Sequence, residues 1–267
     1  MLYNCCMNIL IASNGNYSRH EVKALARVLE KQNSVVVATM SEERSYSAMA
    51  FSFQNVPIRV ETISYRNYEF YTTPADAMSI MLGEILSAHP PDLVICGISN
   101  STNMGPDIYS SSHVGMAIQA ASFGVPAVVI GTEFASGGNS EDALEPVITF
   151  IEKNLAKFAG LELPPYTFLN INVPRVENYQ DLKGIKFTGM GRMNMRLEYV
   201  EKTDPKGKKY YWAKRAERKD LDKDNTPDDK FWYDQGYVTI TPISYDSTDF
   251  DAIDAWGKVV KKITDNK

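Results

Sequence analysis

The sequence predicts an α/β protein with three layers, in which helices cover both faces of a mostly parallel β-sheet, together with a protruding β-hairpin and a C-terminal helix. Three observations support this class. Apolar runs of strand length alternate with helical periodicity over roughly the first 175 residues. The helical segments are long enough to serve as crossovers between parallel strands. Beyond that point the pattern changes to extended segments around a turn, one more strand and an amphipathic segment.

The chain opens with a strand, a helix and two further strands. Asn8–Ala12 is an almost continuous apolar run, which suits a strand covered on both faces. Ser18 and Glu21 have the spacing of a capping box at a helix start. Val-rich or alternating runs predict strands at Ser34–Ala38 and Val56–Ile63. Between the first two strands, apolar residues recur at helical spacing, at Val22, Leu25, Ala26 and Leu29.

The middle of the chain alternates between helices and buried strands. A helix should begin at Thr73 and reach about Ala88, because threonine caps a helix and the proline and aspartate that follow suit its first turn. The run DLVICGI is the next strand, and a polar loop from Ser99 to Asp107 follows it. The remaining elements of this part are a helix at 112–123, the strand VPAVVIG, an amphipathic helix at 140–158 and the strand YTFLNINVP.

After residue 175 the sequence predicts an appendage and a return to the sheet. Two extended segments meet at the turn Asp204-Pro205-Lys206-Gly207, as in a hairpin. Residues 219–230 are so charged that we expect a solvated loop, whereas 236–243 alternates like a half-buried strand and 249–263 like an amphipathic helix. We therefore expect one structural domain in three parts: a core at 7–175, a hairpin with a charged loop at 176–235, and a last strand and helix at 236–267.

Composition argues against several classes of protein. The 267 residues carry 28 Lys and Arg against 33 Asp and Glu, and the resulting net charge of -5 disfavours binding to nucleic acid polymers or anionic membranes. No apolar run approaches the roughly 18 residues of a membrane span, and no signal-peptide pattern is present, so we expect a cytoplasmic protein. The three cysteines have no metal-ligand spacing. The sequence leaves open whether translation starts at Met1 or at Met7.

The segments that follow the predicted strands are the place to look for a site, because ligands of such sheets bind outside the carboxyl ends of the strands. Three segments qualify: the turn Ser13–Asn16, the segment after Ala38, and the loop Ser99–Asp107. For the first of them, the plainer interpretation is a tight turn, since Asn and Gly tolerate left-handed backbone conformations.

Seven short segments, in their order and spacing, resemble the SurE family of nucleoside 5'- and 3'-monophosphate phosphatases, also called survival protein SurE. They are MNILIASN, VVAT with ERS ending at Ser45, TTPADA, CGISNSTNMGPDI, LNINVP, YYW and GYVTITPI. The resemblance covers nearly the whole chain from Met7. It implies a Rossmann-like fold with an extended hairpin, dimerisation through a C-terminal segment, and a divalent metal ion such as Mg²⁺ or Mn²⁺ at the carboxyl ends of the strands.

Three of the four positions that the resemblance assigns to metal ligands carry different residues here. Carried over without gaps, the family's two consecutive aspartates fall on Asn14 and Gly15, its serine is retained as Ser45, and its loop asparagine falls on Ser99. These side chains offer only neutral oxygens, whereas a hard cation is held by anionic ones. Without the metal, phosphomonoester hydrolysis would lose its main electrophile, a loss on the order of several kcal/mol. The resemblance therefore predicts a degenerate metal site.

Residues near these positions could still bind phosphate or transfer a proton. His113 is a candidate general acid, since histidine suits proton transfer near neutral pH, and Asn14 stands at the family's first aspartate position. A cap or packing role for His113, and loop-capping roles for Ser45 and Ser99, are the alternatives. The candidate phosphate ligands, in a donor-rich loop and at a helix N-terminus, are Ser99, Asn103, Ser111 and Ser112.

Three classes of function follow from these patterns. The first is a SurE-type phosphatase that hydrolyses nucleoside monophosphates or related phosphomonoesters, and whose hydrolytic activity with ordinary divalent metal ions is weak or absent. The second is a catalytically inactive homologue that binds phosphate or a nucleotide. The third, a dinucleotide-dependent oxidoreductase, is disfavoured because no G-x-G-x-x-G follows the first strand.

The expected partners are a small-molecule phosphate or nucleotide and a second copy of the chain. A homodimer or higher homo-oligomer is expected because the aromatic run Tyr210–Trp212 and the terminal amphipathic helix are suited to self-association. Stacking of these aromatic side chains on a nucleotide base is the alternative interpretation.

Overall fold

The computed structural model describes residues 6–52, 57–133, 141–192, 197–215 and 227–264 of the chain. Within these ranges the strands are β1 Asn8–Ala12, β2 Ser34–Met40, β3 Val60–Ser64, β4 Asn67–Phe70, β5 Leu93–Ser99, β6 Ala127–Gly131, β7 Thr167–Asn172, β8 Ile185–Phe187, β9 Leu197–Thr203, β10 Lys209–Arg215 and β11 Val238–Ser244. The α-helices are α1 His20–Leu29, α2 Pro74–Ile80, α3 Ser112–Ser122, α4 Glu141–Ala159, α5 Asp229–Asp234 and α6 Phe250–Thr264.

Most of the described strands belong to one sheet, in the order β3-β4-β2-β1-β5-β6-β7-β11-β8. Its neighbouring strands are parallel except for the pairs β3–β4 and β7–β11. The prediction of a mostly parallel α/β sheet is therefore confirmed. β9 and β10 form a separate two-stranded hairpin, as the extended segments predicted.

Apolar clusters cover both faces of the sheet, and β1 contributes to each of them. Ile9 and Ile11 pack with residues of α1 and α4 on one face, while Leu10 and Ala12 pack with residues of α2 and α3 on the other. Successive side chains of a strand point to opposite faces, so a strand buried on both sides is apolar throughout. This arrangement explains the continuous apolar run and confirms the three layers.

The two predicted helix starts have different outcomes. Thr73 caps α2, because its Oγ1 accepts a hydrogen bond from the backbone N–H three residues later at 3.3 Å. The capping box predicted for α1 is wrong. The N-cap is Arg19, one residue beyond Ser18, and its side chain makes no cap hydrogen bond. The Ser18 hydroxyl instead donates to the side chain of Asn16.

Element boundaries differ from prediction in two other places. The strand expected at Val56–Ile63 is displaced to Val60–Ser64, and residue 56 lies outside the described ranges. The sequence analysis missed β4, which returns beside β3 after a tight turn in which Arg66 has a positive φ of 62°. The helix that begins at α2 continues as a π-helix over Met81–Ile85, so it ends about three residues earlier than expected.

The last third of the chain contains the hairpin and the terminal helix near their predicted positions. At the hairpin turn, the Asp204 carboxylate accepts hydrogen bonds from the backbone N–H groups of Lys206 and Lys208, each at 2.8 Å. Residues 219–226 of the predicted charged loop lie outside the described ranges, but its final residues begin α5, which Asp228 caps. Of the helices in the described ranges, none has the length and apolarity to cross a membrane.

Candidate functional site

The carboxyl ends of β1, β2 and β5 meet at one edge of the sheet. Ala12 is in register with Ala38 on one side and with Cys96 on the other, so the three strands deliver their following segments to the same place. These segments and the start of α3 line a cleft of about 50 Å³. Among the predicted site residues, the cleft is lined by Asn14, Ser45, Ser99, Asn103, Ser111, Ser112 and His113, whereas Gly15 is buried without lining it.

The turn after β1 is bound to the segment after β2 through the backbone. The Ser13 N–H donates to the Ala38 carbonyl at 3.0 Å, and the Arg44 N–H donates to the Asn14 carbonyl at 3.2 Å. The Asn14 amide also donates to Ser45 Oγ at 3.4 Å. The structure therefore brings together two of the positions that the sequence analysis paired, Asn14 and Ser45.

The side chain of Arg19 fills the space beside Gly15. A Cβ atom added to Gly15 would lie 2.7 Å from Cδ of Arg19 and still closer to its Nε. The guanidinium bonds to Glu21 at 3.1 Å and to Glu43. We call these three residues the Arg19 cluster. It reaches the cleft through Glu43, whose second carboxylate oxygen accepts a hydrogen bond from Ser45 Oγ at 2.6 Å.

The loop after β5 is held by a buried amide network. Asn172 Oδ1 accepts a hydrogen bond from the Asn103 N–H at 2.7 Å, and the Asn103 carbonyl accepts from Asn170 Nδ2 at 2.5 Å and from Asn172 Nδ2 at 3.3 Å. Asn170 and Asn172 are fully buried on β7. The side-chain Nδ2 of Asn103 is buried without a hydrogen-bond partner among the described residues. The loop thus presents an unused donor at the cleft.

Asp229 connects this loop to the C-terminal part of the chain. Its carboxylate is buried and accepts hydrogen bonds from the backbone N–H groups of Gly105 at 2.9 Å, Gly191 at 3.0 Å and Lys230 at 2.8 Å. Burial raises the pKa of this carboxyl, and the backbone donors oppose that shift. Sequence reasoning placed Asp229 in a solvated loop. The available signal was the aspartate pair Asp228-Asp229, one residue before the aromatic run FWY, which is typical of a helix start.

The hydroxyls at the start of α3 are used within the protein. Ser111 caps the helix by accepting a hydrogen bond from the Val114 N–H at 3.3 Å. The Ser112 hydroxyl donates to the Arg44 carbonyl at 2.5 Å and so ties the segment after β2 to α3. That segment also crosses α3 closely at Gly115, where a Cβ atom would overlap the Ala48 carbonyl. Ser112 therefore has a positioning role, whether or not it also contacts a ligand.

His113 lies in the first turn of α3 and is 4% exposed. Its Nε2 atom is buried without a hydrogen-bond partner among the described residues. Burial, with a further contribution from the charge of Arg19, lowers the pKa of His113 to about 4. At pH 7 only about one molecule in a thousand would carry the imidazolium form. This ionisation state opposes a general-acid role at neutral pH and suits hydrogen bonding by the neutral ring.

A second, larger cavity adjoins the cleft. It has a volume of about 630 Å³, and Ser111 lines both spaces. Most of its other side chains are apolar, among them Ile108, Val114, Ile118, Met190 and Ile243. A ligand with a polar end and a larger organic part could therefore occupy both spaces at once.

Comparison with known proteins identifies the family. The model for the family described as survival protein SurE matches residues 9–197, which is more than half of the chain. The chain belongs to the SurE family. It is 32% identical to the 5'-nucleotidase SurE of Pelotomaculum thermopropionicum over 96% of each chain, and 32% identical to that of Clostridium botulinum strain Eklund 17B over 96% of this chain and 99% of the other.

A solved structure agrees with this assignment. The crystal structure of the SurE protein from Aquifex aeolicus has a TM-score of 0.77 to this chain and 26% sequence identity, and the match covers 93% of this chain and 97% of that one. The SurE fold predicted from the loop sequences is thereby confirmed.

The residues at the positions that the resemblance assigns to the family's metal ligands supply no anionic side-chain oxygen for a divalent cation. Asn14, Ser45 and Ser99 supply neutral oxygens, and Gly15 supplies none. The nearby carboxylates of the Arg19 cluster are bonded to a guanidinium, which places a positive charge where a cation would need a negative one. Asp107 supplies the one carboxylate among the described residues that line the cleft. No group of three His, Cys, Asp or Glu side chains that could hold a metal occurs within the described ranges. Arg19 and Glu43 are the residues that sequence reasoning missed here.

Proposed function

We propose that this SurE protein binds the phosphate group of nucleoside monophosphates or related phosphomonoesters in the cleft, and that its hydrolysis of them with Mg²⁺ or Mn²⁺ is weak or absent. The names of the relatives, 5'-nucleotidase SurE, support the choice of substrate class. The observation that carries the proposal is that Asn14 and Gly15 stand at the positions of the family's two aspartates, with the Arg19 side chain filling the space beside Gly15.

Weak hydrolysis follows from the charge that phosphoryl transfer develops. The transition state spreads negative charge over the transferred group, and metal ions normally bridge and neutralise it. Here the cleft offers hydroxyls, amides, a neutral imidazole and the single carboxylate of Asp107 in place of carboxylate-bound metal. Such groups can hold the ground-state phosphate, but they provide less stabilisation of the developing charge.

The adjoining cavity supports binding of a complete ester. Ser111 lies between the two spaces, so a phosphate in the cleft would direct its organic group into the apolar cavity of about 630 Å³. A cavity of this size accommodates drug-sized and nucleotide-sized ligands.

A restoration experiment tests the proposal. The purified protein is assayed with nucleoside monophosphates and p-nitrophenyl phosphate in Mg²⁺, Mn²⁺ or Co²⁺, beside the variant Asn14→Asp/Gly15→Asp/Arg19→Ala. Arg19 is truncated because a side chain at position 15 would overlap it. We expect little turnover by the natural chain and metal-dependent turnover by the triple variant, with Arg19→Ala alone as the control. Turnover by the natural chain at the rate of a metal-dependent relative would refute the proposal.

The alternative is a homologue that binds its ligand and has no hydrolytic activity at all. The same neutral donor set favours it. A thermal-shift screen with nucleotides, phosphorylated sugars and metals distinguishes a binding protein from an empty site, because a ligand selective for the folded state raises the melting temperature. A raised melting temperature together with zero turnover would select this alternative.

We also propose that the protein forms a homodimer or a higher homo-oligomer. Trp212 on the hairpin is 63% exposed, and Phe250 and Trp256 on α6 are 65% and 67% exposed. Burial of such aromatic side chains between subunits would be favourable. Light scattering after size-exclusion chromatography should show an oligomer, and the double substitution Phe250→Ser/Trp256→Ser should shift it toward the monomer.

A further inference from the structure

We infer that the Arg19 guanidinium takes over the electrostatic role of the divalent cation in this protein, so that the cleft binds a phosphate group directly and without a metal ion. The inference rests on the proposed phosphate binding and adds the source of the positive charge. It concerns three features: the place that Arg19 occupies, the way it is held, and the donors that face the cleft.

Arg19 occupies the space that a second carboxylate would need. Its Cδ would be 2.7 Å from a Cβ atom at Gly15, and Nε nearer still, so an aspartate there and the present Arg19 position exclude each other. The replacement of that acidic side chain by glycine therefore makes room for a cationic side chain from the start of α1. The protein thus has a cationic side chain of its own where the family has an anionic side chain that binds a metal.

The guanidinium is held in a definite orientation. Glu21, whose side chain is 11% exposed, accepts from one terminal nitrogen and Glu43 accepts from the other. Among the described residues these bonds use two of the five N–H groups of a guanidinium. Arg19 is not itself among the residues that line the cleft, but its charge acts there, since it contributes to the lowered pKa of His113. A planar, permanently charged group with remaining donors is well suited to bind phosphate.

The cleft presents donors, lacks anionic ligands at the positions of the family's metal ligands, and has one carboxylate, that of Asp107, among its described lining residues. Asn103 Nδ2 and His113 Nε2 are both buried in its lining without a partner among the described residues. Buried polar atoms are normally hydrogen-bonded. Phosphate oxygens would accept from the amide and from the neutral imidazole carrying its proton on Nε2, whereas a metal cation would find no acceptor in the amide N–H and would be repelled by Arg19.

Glu43 competes with the ligand for Arg19. Its carboxylate bonds to the guanidinium and to Ser45 Oγ, and its side chain is 50% exposed. A bound phosphate would have to share or displace this carboxylate. Neutralising Glu43 should consequently strengthen anion binding, whereas neutralising Arg19 should weaken it.

Calorimetric titration of the full chain with AMP and with inorganic phosphate, in EDTA and in MnCl₂, tests the inference. We expect the natural chain to bind equally well in EDTA. Arg19→Met should lose about tenfold or more in affinity, Arg19→Lys should retain part of it, and Glu43→Gln should gain. Lys31→Met, which removes an exposed positive charge just beyond α1, is the matched control and should change affinity by less than about twofold.

The outcomes separate this inference from the proposed function. Binding that disappears in EDTA and returns with Mn²⁺ would overturn the role of Arg19 and leave the proposed phosphate binding intact. Equal affinities of Arg19→Met and the natural chain for AMP and phosphate would likewise overturn the role of Arg19 and leave the proposed phosphate binding intact. Failure of AMP and phosphate to bind under every condition would overturn both.

A titration with Mn²⁺ alone tests the place of Arg19 without an organic ligand. Removing the guanidinium in Arg19→Met frees the carboxylates of Glu21 and Glu43, the second of which is hydrogen-bonded to Ser45. We expect this variant to bind Mn²⁺ more tightly than the natural chain, and Arg19→Met/Glu43→Gln to lose the gain. If the Mn²⁺ affinity of Arg19→Met is no higher than that of the natural chain, the inference that Arg19 replaces the metal ion is contradicted.

Discussion

The turn after β1 and the loop after β5 stand side by side at the sheet edge and are held in opposite ways. The turn carries the Arg19 cluster, whose ion pairs are partly exposed to solvent. The loop is anchored by Asn170, Asn172 and Asp229, which are fully buried and bond to its backbone. Breaking a buried hydrogen bond is costly, whereas exposed ion pairs contribute little to stability. The shape of the site and its charge therefore depend on different residues.

We expect the largest effect on stability from a substitution in the buried network that holds the loop after β5. Asn172→Ala leaves the Asn103 N–H without its acceptor, removes a second bond to the Asn103 carbonyl and opens a small cavity. We expect a loss of about 3 to 4 kcal/mol in the free energy of unfolding. Chemical denaturation measures it. Asn16→Ala, in the exposed part of the turn, should cost less than about 0.5 kcal/mol. Similar losses in the two variants would contradict the contrast.

His113 lines the same cleft as these two regions and makes the stability of the protein depend on pH. Because its pKa of about 4 in the folded protein lies below the ordinary 6.5, the unfolded chain binds the proton more tightly between these values. The stability is fully present above pH 6.5 and falls as the pH drops toward 4, by up to about 3 kcal/mol. The difference between the natural chain and His113→Gln isolates this contribution. An unchanged pH dependence in the variant would count against burial of the neutral ring.

A smaller effect is expected from Asp229. Replacing it by asparagine keeps the size of the side chain. The amide NH₂ group would then face one of the two backbone N–H groups, of Gly105 and Gly191, that now donate to the carboxylate. We expect a loss of about 2 kcal/mol and weaker ligand binding through the displaced loop. Asp234→Asn, on the exposed side of the same helix, is the matched control and should alter neither property.

The smallest effect on stability should come from the turn. Glu43→Gln removes an ion pair whose partners are 31% and 50% exposed, so the free energy of unfolding should change by less than about 1 kcal/mol. The same variant should nevertheless change anion affinity. A large loss of stability here would show that the Arg19 cluster also supports the fold.

The sequence was sufficient to predict the sheet edge and the residues that meet there. The apolar run of β1 and the parallel α/β pattern predict that Asn14 and the loop after β5 meet at one edge, and the register of Ala12 with Cys96 agrees with that prediction. The short strand β4 was missed because it has only four residues, Asn67–Phe70, and the preceding turn lacks glycine. Its formation depends on the neighbouring β2, which local patterns do not report.

The charged contacts of the site could not be predicted from local patterns. Arg19 was overlooked because the helix start was placed one residue too early, on Ser18, and a long side chain can point in several directions from an N-cap. Asp229 was overlooked because a charged stretch usually indicates solvent exposure. Its burial depends on backbone donors from residues 105 and 191, which are 124 and 38 positions away in the chain.

The contact between Gly115 and the Ala48 carbonyl connects sequence variation in a helix to the geometry of the cleft. Any side chain at position 115 would push away the segment that carries Ser45, although Gly115 itself does not line that cleft. Substitutions at 115 should therefore survive during divergence only together with changes in residues 45–50. Aligned relatives that lack glycine there should show insertions or altered turn residues in that segment, which makes position 115 a marker for a differently shaped cleft.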